Sequence, residues 1–322
     1  MIGGQNIIRG RPSHYTMEWP ALIQPLLDGR NESSFILSVA LPIGMAIAVL
    51  GLIFSFLASI AYMIISTIQE ERSQTRAARL RASDHINDGK HHLLLAATGS
   101  VATIKIPEIV LALSKYHNLS IRILLTDSAA KFLDDQAAEQ PSLARIARLK
   151  NVDAIYRDAH EWRKPWVRGD SILHIELRRW ADVMVIAPLS ANSLAKVAVG
   201  MSDNLITSVV RAWDATGVLN EARPDVPLPY EGRKGIIVAP AMNTAMWHHP
   251  ITAEHLRRLE TDWSVRNGGW FDVLRPVEKQ LACGDTGSGA MHDWKLIVTK
   301  IESVLHLSKA DTSARWMTGT LG

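Results

Sequence analysis

The sequence predicts an α/β fold, a doubly wound parallel sheet with helices on both faces, preceded by a single membrane-spanning helix. Three observations carry this. Short apolar runs ending in polar or glycine-containing turns alternate with helical patterns, the mark of βαβ units. The run at 235–239, GIIVA, is apolar throughout, as expected of a strand covered on both faces. Residues 35–68 hold no charged side chain, a stretch longer than the ~20 helical residues that cross a hydrocarbon core.

Composition narrows the function. With 322 residues, 47% of them hydrophobic, there is enough apolar material for one sizeable core and an extra segment. A net charge of +3 without basic runs interleaved with aromatics gives no footprint for nucleic acid. The single cysteine, Cys283, excludes an internal disulfide and a cysteine-built zinc site, and suits a reducing compartment. The twelve histidines form no HExxH, and His91-His92 and His248-His249 are adjacent rather than on one helix face, so no metal is expected.

Residues 1–34 are rich in Gly, Pro, Ser and Asn and read as a disordered tail. Within the apolar segment 35–68, Pro42 and Gly44 mark a bend or start, leaving 43–65 as the span. A polar, arginine-rich linker, 69–90, follows. The globular domain is expected over 91–308, with a disordered tail at 309–322. HLLLAATGSVA reads as strand, turn and helix start: Gly99 permits the tight turn, and Ser100 and Thr103 lie where N–H groups and the helix dipole favour a phosphate. A second strand, 121–125, ends in Thr126, Asp127 and Ser128. The region around Trp162 and Trp166 shows no clear period. A third strand, 183–187, is expected to end at Pro188, with Ser190, Asn192 and Ser193 in its turn and two helices reaching Trp213. Residues 214–234, with three prolines, read as a surface loop. The strand 235–239 should stop at Pro240, which has no N–H for a ladder. That puts Asn243 at the carboxyl end of the sheet, the rim where ligands bind. Asn243 is equally suited to cap the helix that follows. Further helices are expected at 251–259 and 292–307, with a strand and turn at 265–274.

Five segments, ATGSVA, LHIELRRWADVMVIAPLSAN, DNLITSVVRAWD, VAPAMNTAMW and LACGDTGSGAM, together resemble the homo-oligomeric flavin-containing cysteine decarboxylases. HIELRRWAD points to the branch acting on 4'-phosphopantothenoylcysteine in coenzyme A synthesis. The resemblance spans 91–307 and implies a flavodoxin-like fold, FMN as cofactor, and a homotrimer, or a heterotrimer with related subunits, whose sites lie between subunits. It also implies a cytoplasmic catalytic domain.

By the same resemblance His174 is the active-site histidine, Asn243 the asparagine of PxMNxxMW, and Cys283 the reactive cysteine. Gly99, Ser100 and Val101, then Thr126 and Ser128, then Ser190, Ala191, Asn192 and Ser193 match flavin-contacting segments, with Met242 beside them. Asn243, Ala282 and Met291 match substrate contacts, the last two in a flap whose Gly284, Gly287 and Gly289 let it move. Gln280 stands where plant relatives carry a basic residue, with Lys279 just before it. Residues 1–90 have no counterpart in the family core.

The implied chemistry explains these residue types. Loss of CO2 directly from a cysteine-derived carboxylate leaves an unstabilised carbanion. Oxidation of CH2–SH to a thioaldehyde by a flavin creates an electron sink, CO2 leaves to give an enethiolate, and re-reduction restores the saturated thiol with no net redox change. Here an imidazole takes a proton during oxidation, a thiol returns one at the end, and a neutral amide holds the carboxylate without a ground-state ion pair. Two other classes share the fold: phosphatase-binding regulatory relatives, which often lack one of these three residues and carry a long acidic tail, and decarboxylases of peptidyl cysteine. All three residues are present here, and no acidic tail is.

Overall fold

The computed structural model describes residues 41–77, 80–219, 223, 224, 226–280 and 286–307. The tails at 1–34 and 309–322, and the flap residues Ala282, Cys283 and Gly284, lie outside the described residues. The chain divides into two compact units, Met1–Ile65 and Ser66–Gly322.

In the first unit the described structure is helical, part of α1 (Leu41–Ala77). Its 24 residues Pro42–Ile65 are long and apolar enough to cross a membrane. Their side chains stand open, with Leu52 71% and Phe54 76% exposed.

The second unit is a doubly wound, flavodoxin-like α/β fold. Six parallel strands, β1 (His91–Ala97), β2 (Leu119–Leu125), β3 (Val152–Tyr156), β4 (Val183–Leu189), β5 (Gly235–Pro240) and β6 (Phe271–Val273), lie in the order β3-β2-β1-β4-β5-β6. The order reverses between β1 and β4, which places the topological switch point at their carboxyl ends. Strand residues are sorted by alternation. Leu93, Leu95, Val183 and Val185 face one core, with α2 (Ile106–Leu113) and, at the chain's end, α7 (Trp294–Val304). Leu94, Ala96, Met184 and Ile186 face the other core, covered by α3 (Leu173–Trp180), α4 (Ala191–Val199), α5 (Leu205–Arg211) and α6 (Pro250–Arg257). A hairpin of β7 (Val277–Gln280) and β8 (Thr286–Ala290) stands apart from the sheet.

Several local expectations are revised. β3 falls in the stretch that showed no period, because an edge strand with Asp153 in it lacks the continuous apolar run of its neighbours. Pro188 does not end β4, which runs to Leu189; the missing N–H coincides with a shift of register between Ile186 and Leu189. The strand expected at 265–274 shrinks to β6, after a short 3-10 turn, Val265–Asn267. Residues 214–234 are not simply a surface loop: Asp214, Arg223 and Lys234 are buried. Arg223 donates to Asp182 at 2.7 Å and to Asp88 at 2.8 Å, so a buried cation is matched by two carboxylates. Leu80, 4% exposed, packs in the second core ahead of the expected domain start at His91.

Candidate active site

The carboxyl ends of β1, β2, β4 and β5 converge on one cleft of about 740 Å³. Thr98, the first residue past β1, ties the switch point together. Its hydroxyl accepts the Ser190 N–H at 2.7 Å and donates to the Pro188 carbonyl at 3.1 Å. This buried link between two turns was not foreseen from sequence; the signal was a polar residue directly after an apolar strand.

Each turn then presents short polar side chains. Gly99, Ser100 and Val101 follow β1, and a Cβ at Gly99 would lie 2.5 Å from the Ser128 Oγ, so only glycine lets the two turns approach this closely. Thr126 caps the turn of helix Asp127–Ala130, accepting the Ala129 N–H at 3.2 Å, and Ser128 lies within 3.1 Å of its hydroxyl. Ser190 caps α4 by accepting the Ser193 N–H at 3.4 Å, with Ala191 and Asn192 in the first turn. These nine residues and Met242 line the cleft, as do Asn243 and Met291.

Asn243 is a helix cap that also stands in the cleft wall. It lines the cleft and caps the helical turn Thr244–Trp247, its Oδ1 accepting the Met246 N–H at 2.8 Å. The cap engages one lone pair of the oxygen, and the side-chain NH2 stands as a donor for a ligand. β8 closes over this segment: the Met242 N–H donates to the Gly289 carbonyl at 2.9 Å, and Ser288 Oγ lies 2.7 Å from His248 Nε2.

Sequence reasoning missed a charged part of the wall, formed by Lys196, Asp203 and Asp158. Lys196 Nζ pairs with Asp203 at 2.5 Å and holds its carboxyl below the usual range. Burial, with Asp127 and Asp203 nearby, pushes the Asp158 carboxyl up. Lys196 and Asp203 lie three and ten positions beyond Ser193, and Asp158 opens the short helix Asp158–Glu161 that follows β3, so chain folding and not sequence proximity brings the three to the cleft.

His174 is not among the residues lining this cleft. It is the second residue of α3, with its side chain 24% exposed, and its partner is Glu161 and not Glu176, two positions on. Glu176 instead accepts the Ala82 N–H at 2.7 Å. Asp158, in the same short helix as Glu161 (Asp158–Glu161), does line the cleft.

The residues suit a flavin mononucleotide. Hydroxyls and helix-start N–H groups cluster at the switch point, glycine allows close approach, and the volume is in the range of ligand sites that hold a cofactor with a small substrate.

Comparison with known proteins agrees. The Flavoprotein family matches residues 81–306. Phosphopantothenoylcysteine decarboxylase of Mus musculus is 39% identical over 216 residues, 67% of this chain and 88% of that protein. The enzyme of that name from Arabidopsis thaliana is 39% identical over 228 residues, covering 70% and 91%. A probable thymidylate synthase of Schizosaccharomyces pombe is 40% identical over 242 residues, 74% of this chain, but the chain spans only 34% of that longer protein. Among solved structures, a cysteine-to-serine mutant of PPC decarboxylase complexed with pantothenoylaminoethenethiol is 40% identical, with a TM-score of 0.52 over 66% of this chain and 97% of that one. The FMN binding protein AtHal3 is 39% identical, with a TM-score of 0.51 over 68% and 98%. The chain belongs to the Flavoprotein family and, within it, to the phosphopantothenoylcysteine decarboxylases.

Proposed function

We propose that this protein is an FMN-dependent decarboxylase that converts 4'-phosphopantothenoylcysteine to 4'-phosphopantetheine in coenzyme A biosynthesis. The observation that carries this is the convergence of every expected flavin-contacting residue, with Asn243 and Met291, on one cleft at the switch point of the sheet. Bound FMN supplies the two-electron oxidant for CH2–SH and later returns the electrons. The chain does the rest. Helix-start N–H groups and the hydroxyls of Ser100, Ser128 and Ser190 hold the cofactor. The Asn243 NH2 orients the carboxylate that leaves, and as a neutral donor it does not over-stabilise the ground state. His174 takes a proton during oxidation, and Cys283 returns one in the last step. The relative complexed with pantothenoylaminoethenethiol supports this order, since an enethiol is the product expected when that last step is missing and the protein holding it is a cysteine-to-serine mutant.

A second copy of the chain, or a related subunit, brings its own His174 to this cleft, in a trimer with sites between subunits. The apolar span 43–65 anchors the enzyme, with the catalytic unit in the cytoplasm. Arg72, Arg76, Arg79 and Arg81 follow the span within ~15–20 residues, against Arg30 alone close before it, and this excess of cations favours the cytoplasmic side. The test is purification of the full chain in detergent, a flavin absorbance spectrum, and assay of CO2 release from 4'-phosphopantothenoylcysteine. A colourless protein, or a yellow one that releases no CO2 from this substrate, overturns the assignment. Extraction from membranes by alkaline wash alone overturns the anchor.

A further inference from the structure

The ring of His174 is gripped by a carboxylate thirteen positions away in sequence. Glu161 Oε1 lies 2.8 Å from His174 Nδ1, and Glu161 Oε2 accepts the His174 backbone N–H at 3.2 Å. The carboxylate is 5% exposed, while the histidine side chain keeps 24% of its surface open. An ionised carboxylate has only acceptor sites, so Nδ1 must carry a hydrogen to satisfy it. The second oxygen is spent on an obligatory backbone donor, which fixes the carboxylate plane and with it the ring.

We propose that Glu161 is the positioning residue of this enzyme: it locks His174 in the Nδ1–H tautomer and leaves Nε2 bare as the proton acceptor. The proposal rests on the decarboxylase reading for the use made of Nε2, but the tautomer itself does not depend on the reaction. A merely structural Glu161 would need only its bond to the α3 backbone. The second, ring-facing oxygen is what the positioning role adds. It gives His174 a base at the nitrogen pointing away from the carboxylate, as carboxylates hydrogen-bonded to the far nitrogen of functional histidines commonly do.

Glu161→Gln separates the two roles. The amide oxygen satisfies the backbone N–H, and the NH2 then faces Nδ1. Both hydrogen bonds survive, but Nδ1 must now accept, so the ring is driven to the Nε2–H tautomer. Glu161→Asp restores an acceptor-only group. The full chain is labelled with ¹⁵N-histidine, its His174 signals are assigned by loss in His174→Asn, and nitrogen shifts are read at mildly alkaline pH without substrate. The native protein and Glu161→Asp should show a protonated Nδ1 and a bare Nε2, with the pattern reversed in Glu161→Gln. Flavin reduction by substrate should slow by about 10² or more in Glu161→Gln, the range for loss of a general base, with flavin affinity unchanged. An unchanged tautomer in Glu161→Gln, or a native ring protonated on both nitrogens, overturns the proposal. The expected tautomers in a protein that releases no CO2 sink the decarboxylase reading and leave the positioning role standing.

Discussion

The amide oxygen of Asn243 accepts the Met246 N–H at 2.8 Å, so one side chain both caps a helical turn and faces the cleft. A cap and a binding group are ordinarily hard to separate by mutation. Here chemistry separates them, because Asp caps as well as Asn but has no NH2 to donate.

Asn243→Asp is therefore expected to fold with a melting temperature near that of the native protein and to lose turnover. Its carboxylate at ~4 Å from the substrate carboxylate adds repulsion of about 4 kcal/mol at an effective dielectric of 20. Asn243→Ala should cost about 1 kcal/mol of stability through the lost cap. Thermal melts and substrate binding check both. Near-native affinity in Asn243→Asp would reduce Asn243 to a cap.

Gly289 holds the β7–β8 hairpin onto the cleft. A Cβ there would sit 2.2 Å from the Met242 carbonyl oxygen, which is backbone and has no rotamer to yield. Gly289→Ala should cost ~1–3 kcal/mol, the range for overpacking, and break the Met242 N–H to Gly289 carbonyl bond. Faster proteolysis within 277–291 at unchanged cleavage elsewhere is the expected readout. A native cleavage pattern would show that the hairpin does not rest on this contact.

Burial pushes the Lys234 ammonium down to about 8; Arg223 and Arg178 act in the same direction, and Asp182 and Asp214 oppose. Its Nζ donates to the Arg179 carbonyl at 2.8 Å. Below about 8 both folded and unfolded chains carry this proton, so the cost of the buried charge is constant. Between about 8 and the ordinary value of 10.5 the unfolded chain binds more protons, so this group's contribution to stability rises with pH. The gain is at most roughly 3 kcal/mol, at 1.36 kcal/mol per unit. The stability difference between native protein and Lys234→Met, followed by denaturant unfolding across that window, should climb with pH. A flat difference would place the ammonium in solvent.

Cys283→Ser should bind flavin and release CO2 while an oxidised enethiol product accumulates, because in the proposed order oxidation and decarboxylation precede the step that uses the thiol proton. Mass analysis of the released product tests this. Normal yield of the saturated aminoethanethiol would remove Cys283 from the last step.

Most of the cleft could be read from the chain because its parts are local. β1, β2, β4 and β5 each announce themselves as an apolar run, and the turn that follows each carries its own Gly, Ser, Thr or Asn. Strand, turn and cap are fixed by neighbours a few residues apart, so their chemistry is written in order. The apolar span at 43–65 is legible for the same reason, since length and absence of charge are properties of one segment. What only the tertiary structure decided were pairings between distant positions. Glu161, thirteen positions back, and not Glu176, two positions on, holds His174. Arg223 reaches back to Asp88 and Asp182, and Thr98 joins two turns some 90 residues apart. Pro188 stays within β4 because the register shifts around it. The physical reason is that a buried polar group must find a partner, while nothing in the local sequence says which of several candidates packing will bring within 3 Å.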